Sequence, residues 1–258
     1  MSGQWWVVTD LDGTLMDHSY SWAAAEAAIA ALQQKGIPII PCTSKTAEEV
    51  RLFRKRAGLR DPFIVENGGA IHGETATGEE WQISLGPGHQ DLRPELDALS
   101  SALGEPLLAL EDLSDRQGHE LLGLEGAALQ TAQRRQWSVP FVPPREELRQ
   151  QLADLAKARG LGLVQGNRMA HLLGQGVSKG HALEQLRVKL NAPNAKVFGL
   201  GDSPNDLPLL DVADIAVVVP GQSGPHPAFS QRLKQGDFQL APSSHDRGWA
   251  MAVQQLLS

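Results

Sequence analysis

The sequence predicts an α/β protein in which a parallel sheet, with helices on both faces, is interrupted by an inserted α+β domain. Three observations predict it. Short apolar runs alternate with helix-forming stretches at both ends of the chain. The middle of the chain breaks that alternation. The break begins at glycine- and proline-rich punctuation, Gly86, Pro87, Gly88 and Pro94. Repeated strand–helix order implies parallel strands joined by crossover helices.

Trp5 to Thr9 is an apolar run that stops at Asp10 and reads as a buried strand. Residues 22–35 are alanine-rich and end at Gly36, a helix with a glycine stop. Ile37 to Cys42 is a second strand. Residues 46–57 form a second helix, with Thr46 as its N-cap and Glu48 and Glu49 in the first turn. Phe63 to Val65 is a third strand. Residues 86–94 carry linker chemistry. Beyond them, helices are expected near 92–103, 124–135 and 145–159, and strands near 137–142, 161–165 and 168–173. Alternation resumes with a helix from Ser178, a strand from Lys196 to Leu200, a helix after Pro204 and a strand from Asp214 to Val219. Residues 220–227 are a loop. The expected organisation is a core formed by residues 1–85 and 174–258, with residues 86–173 as the insertion.

The composition narrows the function classes. The chain has 258 residues, 41% hydrophobic and 21% charged, which suits a packed globule. A net charge of -7 argues against a nucleic-acid binder, because phosphate backbones reward basic patches. An anionic substrate would then need a metal ion, lysines or helix N-termini to offset that field. Cys42 is the lone cysteine, so no internal disulfide forms; it sits in an apolar run and is read as core. No stretch approaches the ~20 apolar residues of a membrane span, and no basic-then-apolar leader is visible, so a cytoplasmic protein without membrane partners is expected.

Two acidic clusters carry the chemistry. Asp10-Leu11-Asp12-Gly13-Thr14-Leu15 follows the first strand, and Gly201-Asp202-Ser203-Pro204-Asn205-Asp206 follows a later one. In an open parallel sheet the C-terminal strand ends form the ligand crevice. Carboxylates crowded there repel one another unless a cation sits between them, and magnesium takes such oxygen ligands. A solvated Asx-turn at Asp12-Gly13, and helix capping by Asp202 and Asp206, are the plainer readings. They leave unexplained why two strand ends repeat one acidic arrangement. Thr43-Ser44-Lys45-Thr46 ends a strand and opens a helix, an anion-binding geometry. Ser178-Lys179-Gly180 brings a second lysine to another helix start.

In their order along the chain, the Asp10 segment, Thr43, Lys179 and the Asp202–Asp206 segment resemble the motifs of haloacid dehalogenase-like (HAD-like) phosphatases, and the resemblance spans essentially the whole chain. The insertion lies between the threonine and lysine motifs, as in the sugar-phosphatase branch with a large cap. The resemblance therefore implies a Rossmann-like core with an inserted α+β cap that selects the substrate. Glu66-Asn67-Gly68-Gly69-Ala70-Ile71 and the Thr43 segment are similar to mannosyl-3-phosphoglycerate phosphatases and their glucosyl-3-phosphoglycerate relatives. Arg135 to Pro140 is similar to an Arg-Glu-aromatic stretch of their caps, with Gln136 and Val139 where acidic residues often stand.

The mechanism implied by resemblance makes Asp10 the nucleophile that forms an aspartyl-phosphate. Asp12 protonates the leaving oxygen and later activates water. Mg2+ is held by Asp10, the backbone carbonyl of Asp12, and Asp202, with Asp206 and Asn205 orienting coordinated water. Thr43 and Lys179 bind phosphoryl oxygens. Ser44, Lys45, Glu66, Asn67, Gly68, Arg135, Arg168 and His171 are the candidate substrate contacts. Arg168 and His171 are read as sharing one face of a strand, with Arg168 forked onto a carboxylate. The expected reaction releases phosphate from a small phosphorylated sugar acid, a glycosyl-3-phosphoglycerate, and the resemblance implies a place in compatible-solute synthesis. A sucrose- or hexose-phosphate phosphatase and a phosphosugar mutase are the alternatives. A non-catalytic binding module would be expected to have lost a catalytic carboxylate, whereas Asp10 and Asp12 both remain.

Overall fold

A computed structural model describes residues 4–257. The first half of the core contains β1 (Trp5–Thr9), α1 (Glu26–Gln34), β2 (Ile39–Pro41), α2 (Ala47–Ala57), β3 (Phe63–Val65), β4 (Ala70–Glu74) and β5 (Glu80–Ser84). The inserted unit follows: α3 (His89–Leu103), α4 (Asp115–Leu122), α5 (Gly126–Gln133), β6 (Val139–Phe141), α6 (Arg149–Ala158), β7 (Leu161–Gln165) and β8 (Ala170–Gly174). The core resumes with α7 (Lys179–Lys189), β9 (Lys196–Gly201), α8 (Leu207–Leu210), β10 (Ile215–Val218), α9 (Ser230–Gln235), β11 (Gln239–Leu240) and α10 (His245–Leu257).

The core sheet is parallel, in the order β11-β10-β9-β1-β2. Its two faces follow the period-2 alternation of β1. Val7 packs with Ile29, Leu32, Ile39, Phe53 and Val253, so α1, α2 and α10 cover that side. Trp6 and Val8 pack with Ile40, Leu183, Leu186 and Leu209, under α7 and α8. β1 lies between β9 and β2. Its C-terminal end therefore delivers Asp10 beside the end of β9, which delivers Asp202. Cys42 is buried in this core as a free thiol, and burial pushes its pKa up.

Two expectations about the core need correction. Phe63–Val65 touches the parallel sheet through one bridge, Cys42 to Ile64. It otherwise pairs antiparallel with β4, which pairs with β5, in a separate three-stranded sheet. The stretch expected as linker is largely helix, because α3 starts at His89 and carries Pro94 inside it. Leu92, Leu96, Leu99 and Leu103 recur at helical spacing and are buried against Val139, Phe141 and Leu172. That apolar face outweighs the one hydrogen bond a proline removes.

The inserted unit has its own antiparallel sheet, order β6-β8-β7. The helix expected over 124–135 is shorter, and α4 precedes it where no element was expected. The helix expected over 145–159 is a 3-10 turn, Glu146–Leu148, running into α6. Among the described residues, no helix is long and apolar enough to cross a membrane.

Candidate active site

The site is built on the C-terminal ends of β1 and β9. The Asp10 N–H donates to Leu200 O at 3.0 Å, which locks the loop that carries Asp10 to the neighbouring strand. Trp249 of α10 donates to Thr9 Oγ1 at 2.9 Å, and that hydroxyl donates to Asp10 O at 2.7 Å. Next to Asp12 the chain turns at Gly13 with φ +85°, and a Cβ there would lie 2.5 Å from Asp202 Oδ2. Glycine is thus needed twice over, for backbone conformation and for the approach of the two loops.

Three carboxylates meet behind this turn. Ligand oxygens of Asp10, Asp202 and Asp206 all lie within 4.8 Å of one another. Lys179 Nζ lies 2.6 Å from Asp10 Oδ1 and 2.5 Å from Asp206 Oδ1, with both Lys179 and Asp206 fully buried. Asp206 Oδ2 also accepts the N–H groups of Asp202 and Ser203, each at 3.0 Å. The capping reading of Asp206 therefore holds alongside the cluster reading. Asp202 accepts Thr14 Oγ1 at 2.8 Å and Asn167 Nδ2 at 2.7 Å.

One ammonium does not balance three carboxylates. Burial, with help from the Asp206 charge and against the pull of Lys179, pushes the Asp10 carboxyl up to about 7. Burial and the charges of Asp10 and Asp206 hold Asp202 well above the carboxylate range. Burial works against the Lys179 ammonium, but Asp10 and Asp206 outweigh it and raise its pKa. Hard oxygen donors carrying uncompensated negative charge are the donor set of a divalent cation such as magnesium. The side chain of Asp12 is not in this group. It pairs instead with Lys45 Nζ at 2.9 Å, and its Oδ1 has no hydrogen-bond partner among the described residues.

A cavity opens from Asp10 towards the cap. Asp10, Asp12, Ser44, Lys45, Arg135, Arg168 and His171 line it, which brings Asp10 and Asp12 together with five of the eight expected substrate contacts. Thr46 caps α2 as expected, in a reciprocal box with Glu49. Glu49 in turn sits 3.4 Å from Lys45. Arg135 donates from Nη1 to Ser44 O at 2.5 Å. Arg168 donates to Leu122 O at 2.5 Å and to the Tyr20 hydroxyl at 3.3 Å. Burial and then the Arg135 and Lys179 charges push the His171 imidazole down to about 3, so it is neutral, and its Nδ1 has no partner among the described residues. Thr43 is buried at the end of β2, where its Oγ1 accepts the Lys45 N–H at 3.3 Å.

Two placements differ from expectation. Arg168 precedes β8 in the turn after β7, while His171 is on the strand. They face one cavity because the turn folds back, not because they alternate along a strand. Glu66, Asn67 and Gly68 are engaged away from the cavity lining. Glu66 accepts Gln136 N, Trp137 N and Ser138 Oγ at 2.9, 3.0 and 2.6 Å. Asn67 Oδ1 accepts Asn205 Nδ2 at 2.9 Å. At Gly68 an added Cβ would lie 2.2 Å from Ser178 O.

The sequence reading missed several neighbours of the site. Asn167 reaches Asp202 from the cap, Thr14 binds the same carboxylate, and His18 and Tyr20 line the cavity. His245 Nδ1 lies 3.1 Å from Gly13 O. Thr14 lies inside the Asp10–Leu15 segment, so its place beside the acidic cluster is legible in the sequence. Asn167 and His245 carry no local signal, because their partners are distant in sequence.

Comparison with known proteins matches residues 7–83 and 142–222 to the haloacid dehalogenase-like hydrolases. A glucosyl-3-phosphoglycerate/mannosyl-3-phosphoglycerate phosphatase of Persephonella marina is 31% identical over 228 residues, covering 83% of this chain and 84% of that protein. A haloacid dehalogenase-like hydrolase of B. subtilis superposes with a TM-score of 0.71 at 19% identity, covering 99% of this chain and 100% of the other. A sucrose-phosphatase of Synechocystis, solved with sucrose and phosphate, superposes with a TM-score of 0.64 at 18% identity, covering 98% of each. At these identities the two structures establish the shared fold.

Proposed function

The chain belongs to the haloacid dehalogenase-like hydrolases and is a phosphoric monoester hydrolase; from that premise we propose that it hydrolyses a glycosyl-3-phosphoglycerate to a glycosylglycerate and phosphate, with magnesium as cofactor. One observation carries the substrate reading: two guanidiniums, Arg135 and Arg168, line the same cavity as Asp10. A phosphoglycerate presents a carboxylate as well as a phosphate, and arginine forks match carboxylates. The relative from Persephonella marina, named for this substrate class, supports the choice. The neutral His171 offers its unpartnered Nδ1 to a sugar hydroxyl.

Asp10 and Asp202 would hold the divalent cation, which supplies charge neutralisation for the approach of phosphate to a carboxylate. Lys179 holds Asp10 Oδ1, so Oδ2 is the attacking oxygen. It forms the bond to phosphorus as the bond to the glyceryl oxygen breaks, giving an aspartyl-phosphate. Asp12 gives its proton to the departing oxygen. A water then attacks phosphorus, Asp12 takes its proton, and Asp10 and phosphate are released. Lys45, 2.9 Å from Asp12, holds that side chain in the cavity while it is ionised, between the two half-reactions. Thr43 and Lys179 bind equatorial phosphoryl oxygens, and Asp206 steadies Lys179. The cap shields the intermediate from other acceptors.

The test is phosphate release from a panel of glycosyl-3-phosphoglycerates, sucrose phosphate and hexose phosphates, with magnesium present. The glycosyl-3-phosphoglycerates should show the highest kcat/KM. Preference for a hexose phosphate would refute the substrate, and isomerised sugar phosphate in place of free phosphate would indicate a mutase.

A further inference from the structure

Glu66 is wholly buried and forms no ion pair among the described residues. A buried carboxylate without a counter-ion depends on its hydrogen-bond donors. All three donors to its carboxylate come from the cap: the backbone N–H groups of Gln136 and Trp137 and the hydroxyl of Ser138. The core holds Glu66 from the other side. The Glu66 N–H donates to Lys45 O and the Asn67 N–H to Thr43 O, both at 3.0 Å. Glu66 and Asn67 take φ values of +49° and +58°, a left-handed pair that side chains rarely adopt in succession. The turn is therefore bent so that its backbone hangs on the loop carrying Thr43 and Lys45 while its carboxylate faces the cap.

The fastened cap segment adjoins a cavity residue. Arg135 immediately precedes Gln136, and its own Nη1 reaches Ser44 O on the same loop. The segment is also tied to the start of the inserted unit, because the His89 N–H donates to Gln136 O at 2.7 Å. Trp137 packs over Gly69, where an added Cβ would meet the Trp137 Cβ at 2.5 Å. We propose that Glu66 is a positioning residue: it clips cap residues 136–138 to the Thr43–Lys45 loop and so presents Arg135 to the part of the substrate that leaves with the alcohol. Glu66 itself makes no substrate contact. The inference needs a phosphatase with a cap but does not depend on which sugar is the substrate.

The experiment compares Glu66→Ala and Glu66→Gln with the parent enzyme in two measurements. Amide hydrogen exchange is followed on the protein without substrate. In Glu66→Ala, exchange at Gln136 and Trp137 should speed up by at least about tenfold, while β1 and β9 amides keep their protection. Steady-state kinetics are then measured with the best sugar phosphate of the panel and with nitrophenyl phosphate. For the sugar phosphate, kcat/KM should fall on the order of 10- to 100-fold, chiefly through KM, while the small ester changes by less than about threefold. Glu66→Gln keeps an acceptor oxygen and should fall between. Equal losses on both esters, or unchanged exchange at Gln136 and Trp137, would overturn the proposal. If Glu66→Ala does not fold, Ser138→Ala removes one donor and should shift both measurements in the same direction by less; no shift in either would equally overturn it. A wrong sugar assignment would leave the exchange result standing.

Discussion

Replacing Asp202 by asparagine tests the charge imbalance at the centre of the site. Asp202 has ligand oxygens within 4.8 Å of those of Asp10 and Asp206, and Lys179 supplies one positive charge against that pair. Asp202 thus faces one net negative charge. At an effective dielectric of about 20, a pair of like charges at that distance repels by about 3 kcal/mol, reduced by solvent to on the order of 1–2 kcal/mol. Asparagine keeps an acceptor for Thr14, gives up the exposed hydrogen bond from Asn167 and loses the charge. In chelator at about pH 8, Asp202→Asn should therefore raise Tm by roughly 2–8 °C. The sign with pH follows from the raised carboxyl pKa of Asp202. The folded state holds its proton more tightly than the unfolded chain, so wild-type stability falls as pH rises from about 4 through the folded value. The advantage of the variant should vanish near the bottom of that range and be complete above it. Magnesium should reverse the order, because at about 100 times its Kd it adds roughly 2.7 kcal/mol to the protein that binds it and nothing to the one that does not. Thermal unfolding with chelator and with magnesium, at both ends of the pH range, reads all of this. A variant that is less stable than wild type in chelator throughout, or that magnesium still stabilises, would refute the charge argument.

Other perturbations test the chemistry and the scaffold. Asp10→Asn should abolish turnover with the fold intact, and Asp12→Asn should slow the sugar phosphate ~10²–10⁴-fold while a nitrophenyl ester, with its better leaving group, suffers less; equal losses would remove Asp12 from the acid role. Arg168→Ala and Arg135→Ala should each lower kcat/KM on the order of 10- to 100-fold for substrates bearing a carboxylate, with a carboxylate-free phosphate ester much less affected. Gly68→Ala would force a side chain onto φ +99° and to 2.2 Å from Ser178 O, at the start of the helix that carries Lys179. It should destabilise by about 1–3 kcal/mol or more, read as a lower urea midpoint at constant m-value.

Several parts of the molecule are legible in the linear chain because the forces that set them act over a few residues. The apolar run ending at Asp10 is β1. Thr46 and Glu49 form the reciprocal N-terminal box that their spacing announces. The acidic clusters at 10–12 and 202–206 sit at strand ends because strands that alternate with helices must run parallel and finish on one edge. The same local rules explain the errors. Glycine and proline near residue 90 suggest a linker, but the buried face of Leu92, Leu96 and Leu99 keeps a helix there.

By itself, then, the sequence determined the parallel core, the inserted unit and the carboxylates that meet at strand ends, through side-chain periodicity and turn chemistry. Only the tertiary structure decided which partners those groups take. Thr14 and Asp202 are 188 residues apart, Asn167 and Asp202 35, and Glu66 and Ser138 72. No local rule chooses among acceptors at such separations. The choice falls to the packing of β1 against β9 and of the cap against the core, which gives the Glu66 carboxylate its three hydrogen bonds from cap residues 136–138.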